Sequence, residues 1–139
     1  MQTLISTIKN TINEERKLPF SVYSSVHAQK LLNVPIAKPL LIVVLKGHKE
    51  LGKNNEITCL SEHFIFLSDS PAINMRNIPK DNAYFALLIE FDYEDFMGIP
   101  HGKNPTNSNS ITDYFIGKIT PTLKNCLQQL VENACWAPE

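Results

Sequence analysis

The sequence predicts a mainly β domain, antiparallel in its pairing, with α-helices flanking it at both ends. Three observations carry this prediction. Short apolar segments follow one another from Phe20 to Phe91, with the alternating or continuous hydrophobicity of half-buried and buried strands. Turn chemistry interrupts them at short intervals. Helical periodicity is confined to the two ends of the chain. The gaps between segments are too short for the crossovers that parallel strands require, which leaves an antiparallel sandwich or barrel.

The elements follow in order. Leu4, Ile5, Ile8 and Ile12 recur at helical spacing without Gly or Pro, which predicts an amphipathic helix ending between Glu14 and Lys17. From Pro19 the period becomes two, with Phe20, Val22 and Val26 on one side of a strand and Ser21, Tyr23 and Ser25 on the other. Residues 28–38 contain Pro35 and show no clear period, so they read as a connection. Strands are then expected over Leu40–Lys46, Glu56–Leu60, His63–Ser68, Ala72–Ile78 and Tyr84–Phe91, the last being the most apolar. In PLLIVVLKGHKELG, residues 39–52, the first half is such a strand and the glycine-broken half a bend.

Beyond the strands, Asp92 and Asp95 can cap a short helical turn, and Gly98–Asn109 is a polar loop rich in Gly, Pro and Asn. Ser110 with Asp113 signals a short helix through Phe115 that ends at Gly117. Thr120 and Pro121 then supply an N-cap and a proline at the first position of a closing helix. Leu123, Leu127, Leu130, Val131 and Ala134 lie on one face of it, and Lys124, Gln128, Gln129 and Glu132 on the other. Such a stripe packs on the β body or pairs with a copy of itself. The expected organisation is an N-terminal helix and β-barrel over residues 1–98, a loop over 99–110 and C-terminal helices over 111–139, all one compact domain.

Composition limits the function. A chain of 139 residues, 43% of them hydrophobic, builds one sizeable core and not two. A formal net charge of -1 provides no basic field for nucleic acid or an anionic membrane. No window has the length and apolarity of a membrane span or of a signal-peptide core, so a soluble, cytoplasmic protein is expected. Cys59, Cys126 and Cys135 have no metal-binding spacing and are odd in number, and they read as ordinary thiols.

Candidate sites are weak one by one. His27, His48, His63 and His101 never occur as HxH or HxxxH. His48 and Glu50 could share a strand face, but two ligands do not make a site, so no metal and no cofactor are expected. No GxSxG elbow or cysteine signature supports nucleophilic catalysis, and no enzyme is predicted. A phosphate cradle at Lys46-Gly47-His48-Lys49 lacks the P-loop glycine spacing; a bend with solvated edge lysines explains those residues better. Arg76 sits at the centre of a strand. In Tyr84–Phe91, alternation sends Phe85, Leu87, Ile89 and Phe91 to the core and places Tyr84 and Glu90 at the ends of the other face. That second face is either a partly polar cavity wall or an outer surface.

Taken as an ensemble these residues resemble a family. Pro39-Leu40, Val44-Leu45, Gly47, Lys49 and Leu51-Gly52 are similar to the strand-and-turn pattern in the N-terminal domain of AraC-type transcriptional regulators. The resemblance continues through Phe64–Pro71, Tyr84–Leu87 and Phe91-Asp92, covers residues 20–98, and extends to the closing helix with its Trp136-Ala137-Pro138-Glu139 end. It departs at Cys59-Leu60-Ser61-Glu62, where the family usually has Tyr-Asp and Gly.

The resemblance implies a cupin-like β-barrel of the double-stranded β-helix type that senses a small-molecule effector or mediates dimerisation. DNA would be contacted only through a helix-turn-helix domain absent from this sequence. Effector contacts are then expected from Lys46, His48, His63, Arg76, Tyr84 and Glu90, and a homodimer interface from Leu123, Leu127, Leu130, Val131 and Ala134. The alternatives are a stand-alone cupin-like small-molecule binder or enzyme, and a barrel that serves only as a dimer platform.

Overall fold

The computed structural model describes residues 2–12, 18, 20–68, 70–92 and 114–136. Helix α1 (Gln2–Ile12) leads into β1 (Ser21–Ser25), β2 (Gln29–Ile36), β3 (Leu40–Lys46), β4 (His48–Leu51), β5 (Ile57–Cys59), β6 (His63–Leu67), β7 (Ser70–Ile78) and β8 (Tyr84–Glu90). After these come β9 (Tyr114–Lys118) and α2 (Pro121–Trp136). The strands form a five-stranded sheet in the order β1-β8-β3-β6-β9 and a four-stranded sheet in the order β2-β7-β4-β5. Every pairing is antiparallel. Among the described residues no strand pair joins one sheet to the other, so the expected barrel is an open pair of sheets.

Alternation along the strands divides the core into two layers. Leu40, Ile42 and Val44 of β3, Tyr84 and Ala86 of β8, and Ile65 and Leu67 of β6 meet Ile36, Leu51, Ile57, Ile73 and Met75 between the sheets. The other face of the five-stranded sheet, with Val43, Leu45, Phe85 and Leu87, packs under Leu4, Ile5 and Ile8 of α1 and Leu127 and Val131 of α2. Both faces of β3 and β8 are therefore buried. This explains their near-continuous apolar sequence, and of the two readings of the Tyr84 face it selects an inner wall over an outer surface.

Local chemistry sets the boundaries. At the start of α2 the Thr120 hydroxyl accepts a hydrogen bond from the Leu123 amide at 3.1 Å, the cap expected from the sequence. The helices are tied by Gln128, whose side-chain amide donates to the Thr7 hydroxyl at 2.9 Å. Asp81 and Asn82 both take positive φ, at 52° and 61°, in a two-residue turn closed by Lys80–Ala83 bonds in both directions. These dihedral signs are those of a type I′ hairpin, and Asn and Asp tolerate them best after Gly.

Four further expectations are corrected. Residues 48–51, expected to be part of a bend, form strand β4 after the turn at Gly47. Residues 29–36 form a strand, not a connection; Asn33 has φ +56° and the register with β7 shifts on either side of Val34, so bulges hide the period. Residues 114–118 form edge strand β9 against β6 in place of the end of a short helix. Gly117 is needed there for close approach, since a Cβ would stand 2.7 Å from the Phe64 ring. Val26, expected on the apolar face of β1, is 59% exposed beyond the end of the strand. The predicted turn at Asp92–Asp95 and the loop over Gly98–Asn109 lie outside the described residues, apart from Asp92 itself.

Candidate functional site

The two sheets separate at one end to leave a cavity of about 480 Å³. Its walls are largely aliphatic, with Leu31, Val34, Ile36, Leu40, Ile42 and Leu88 among them. Lys38 and Glu90 are exposed and mark its mouth, whereas Lys49, Asn77 and Tyr84 line its buried end. Tyr84 and Glu90 lie on the same face of β8 six residues apart, so mouth and buried end are separated by about 20 Å at the usual rise per residue.

Gly47 is what brings Lys49 to that end. With φ +83° it turns the chain out of β3, in one sheet, directly into β4, in the other. A Cβ there would lie 2.5 Å from the Ile78 carbonyl oxygen and 3.1 Å from the Tyr84 ring. Alternation along β4 then sends His48 and Glu50 outward and Lys49 and Leu51 inward. Lys49 faces Asn77 across the β4–β7 ladder and Cys59 across the β4–β5 ladder.

The result is a buried cluster of polar groups in an apolar cavity. Lys49 is 4% exposed, and Asn77 and Tyr84 are fully buried. The Lys49 ammonium donates to Asn77 Oδ1 at 2.7 Å and sits 5.8 Å from the centroid of the Tyr84 ring. Tyr23 meets Tyr84 edge-on, at 6.1 Å and 73°. The Asn77 Nδ2 amide and the Tyr84 hydroxyl have no hydrogen-bond partner among the described residues. Burial lowers the Lys49 pKa to about 8, partly opposed by Cys59; burial raises the Cys59 thiol to about 11, partly opposed by Lys49. Burial also pushes the Tyr84 phenol up. Cys59 therefore stays a thiol at neutral pH and is a poor nucleophile.

The residues picked out in the sequence are dispersed. Tyr84 and Glu90 line the cavity, at opposite ends. His48 and Arg76 lie on the outer face of the four-stranded sheet, joined through Glu50, whose carboxylate stands 3.5 Å from His48 Nε2 and 3.2 Å from Arg76 Nη1. His63 begins β6, with its Nδ1 3.0 Å from the Ser61 carbonyl. Lys46 closes β3 beyond a register shift and is absent from the cavity wall. Four of the six expected effector contacts thus fall outside the cavity: strand parity turns His48 and Arg76 outward, a bulge displaces Lys46, and His63 sits at the start of β6, away from the cavity lining. Among the described residues no three His, Cys, Asp or Glu side chains form a metal-binding group. No described helix is long and apolar enough to cross a membrane.

Lys49, expected to be a solvated edge charge, is buried instead, and Asn77 is a cavity residue outside the expected set. Lys49 shares its strand face with apolar Leu51, and Asn77 shares one with Ile73 and Met75. Arg76 and His48 are outward members of those same strands. In α2 the expected dimer stripe has an intrachain use. Leu127 and Val131 are buried against α1 and the five-stranded sheet, while Leu123 and Leu130 are partly covered by the same core. The side chain of Ala134 lies outside the described residues.

No protein-family model matches the sequence, and no curated protein matches it closely. Solved structures do. Unsaturated fatty acid-bound wild-type ToxT from Vibrio cholerae strain SCE256 superposes with a TM-score of 0.60 at 14% identity, covering 87% of this chain and 48% of that one. ToxT from Vibrio cholerae O395 gives 0.58 at 15% identity, covering 83% and 45%. The same protein bound to (E)-4-(8-methylnaphthalen-1-yl)but-3-enoic acid gives 0.55 at 16% identity, covering 82% and 47%. This chain has the fold of the matched part of ToxT. ToxT is an AraC-family regulator, and its matched part is the N-terminal ligand-binding domain. The chain spans about half the length of the ToxT chains it matches.

Proposed function

We propose that this chain is the regulatory, effector-binding domain of an AraC-type transcription regulator. The observation that carries this reading is the apolar cavity of about 480 Å³ between the two sheets, within the size range of small-molecule sites. Two further facts support it. The fold is shared with ToxT, and two of the ToxT structures hold small acids. The reading is of a binding domain and not an enzyme: the Cys59 thiol, opposite Lys49 on the neighbouring strand, is held protonated by burial.

The mechanism follows from the layers. Strand β8 is the partition between cavity and helices, since Tyr84 and Leu88 face the cavity while Phe85 and Leu87 face α1 and α2. A ligand that favours one position of β8 over another biases the placement of both helices. It acts only in so far as it binds the two arrangements unequally. DNA contact is assigned to a helix-turn-helix part outside this sequence.

A homodimer through α2 belongs to the same proposal. Leu127 and Val131 are committed to the core, so the contact would use the half-covered Leu123 and Leu130.

The cavity is tested by thermal unfolding with oleate and with a naphthyl alkenoic acid, on the wild type and on Leu88→Trp, which fills the space between the sheets. Both ligands should raise the wild-type midpoint, and the substitution should abolish the rise. Equal stabilisation of the two proteins would refute the cavity as the site.

A further inference from the structure

We propose that the buried end of the cavity is a carboxylate head-group site, in which Lys49, Asn77 and Tyr84 hold the acid of an amphipathic molecule whose apolar body runs back toward the mouth. This rests on the effector-binding reading and adds the orientation of the ligand and the residues that read its acid. The first argument is an imbalance of donors and acceptors. The Lys49 ammonium has three N–H donors, and among the described residues one contact accepts from it, Asn77 Oδ1. The Asn77 amide nitrogen and the Tyr84 hydroxyl bring further donors with no acceptor among the described residues. Three side chains from β4, β7 and β8 thus converge on one place with donors in excess. Their complement is a group made of acceptors and carrying negative charge, and a carboxylate with about four lone-pair sites fits that description.

The second argument is charge. A buried ammonium is costly unless an anion meets it. Here its hydrogen-bond partner among the described residues is a neutral amide, and neither Cys59 across the ladder nor the Tyr84 ring beside it brings a negative charge at neutral pH. Glu50 of the same strand points to the opposite face, where it engages Arg76 and His48. Glu90 lies at the far end of the cavity.

The third argument sets the direction. At the mouth the Glu90 carboxylate repels an acid, and Lys38 is engaged with Asp92 at 3.2 Å. The wall between mouth and buried end is aliphatic. An acid entering tail-first would leave its charge beside Glu90 and Lys49 uncompensated. Head-first, it meets the donors and covers the wall with its body.

The test compares oleate with oleyl alcohol by titration into the wild type, Lys49→Met, Tyr84→Phe and Lys38→Met, with circular dichroism confirming the fold of each. Wild type should prefer the acid at least tenfold. Lys49→Met should bring the preference close to unity while keeping alcohol affinity, Tyr84→Phe should weaken the acid severalfold and leave the alcohol unchanged, and Lys38→Met should change neither. Equal affinities of wild type for the two ligands would overturn the head-group site and leave the cavity standing. An acid preference that survives Lys49→Met and disappears in Lys38→Met would overturn it in favour of a head group at the mouth. Binding of neither ligand would overturn the effector-binding reading as well.

Discussion

Raising the pH from about 7 to about 9 should stabilise the ligand-free protein, and Lys49→Met should remove the effect. The native Lys49 ammonium gives up its proton near 8, against 10.5 for the ordinary group. Between those values the unfolded chain binds more protons than the native one, so stability rises with pH. Linkage gives a gain of about 1.3 kcal/mol between about pH 7 and pH 9 from Lys49 alone. Cys59 acts in the opposite sense. Its native thiol holds its proton up to about 11 while the ordinary group loses it at 9.0, so it weakens the fold as pH rises. That offset is about 0.4 kcal/mol at pH 9 and grows above it. The net gain is about 1 kcal/mol, about 3 °C in unfolding midpoint for a chain of this size. Urea titrations of wild type and Lys49→Met at the two pH values measure it. A wild-type gain matched by Lys49→Met, or no gain at all, would refute the account of a desolvated, anion-deprived ammonium.

Further outcomes follow from the packing. Leu127→Asp puts a carboxylate into the layer between α2, α1 and the sheet and should cost about 4 kcal/mol or more, unfolding the domain in place of merely dissociating a dimer; circular dichroism beside sedimentation separates the two. Gly47→Ala combines φ +83° with an approach of 2.5 Å to the Ile78 carbonyl, so it should cost more than the roughly 1–2 kcal/mol of a left-handed residue alone and should also weaken ligand binding by displacing Lys49. At the β7–β8 turn, where φ of Asn82 is 61°, Asn82→Val should lower stability by about 1–2 kcal/mol, whereas Asn82→Gly should leave it unchanged or slightly higher; thermal unfolding of the pair checks this.

Much of the fold could be read from sequence wherever one physical signal dominated. Buried β3 and β8 appear as apolar runs, Thr120-Pro121 announces α2, and Pro79-Lys80-Asp81-Asn82 announces the hairpin turn. What escaped had conflicting signals. The bulges of β2 break the alternation on which a strand reading depends, and Ser110 and Asp113 suggest a helix cap ahead of residues that the sheet edge recruits into β9. The site was harder because polarity alone does not tell inward from outward. Lys49 and His48 are neighbours with similar chemistry, and a single step of strand parity puts one in the cavity and the other on the outer face of the sheet beside Glu50. That parity is set where Gly47 passes the chain from one sheet to the other.

The central claim is that a small apolar acid is held between the sheets, and calorimetric titration of oleate into wild type and Leu88→Trp tests it most directly. The account predicts about one site per chain with a negative heat-capacity change from buried apolar surface, lost in Leu88→Trp while the fold is retained. An identical titration curve for the folded Leu88→Trp protein would contradict it.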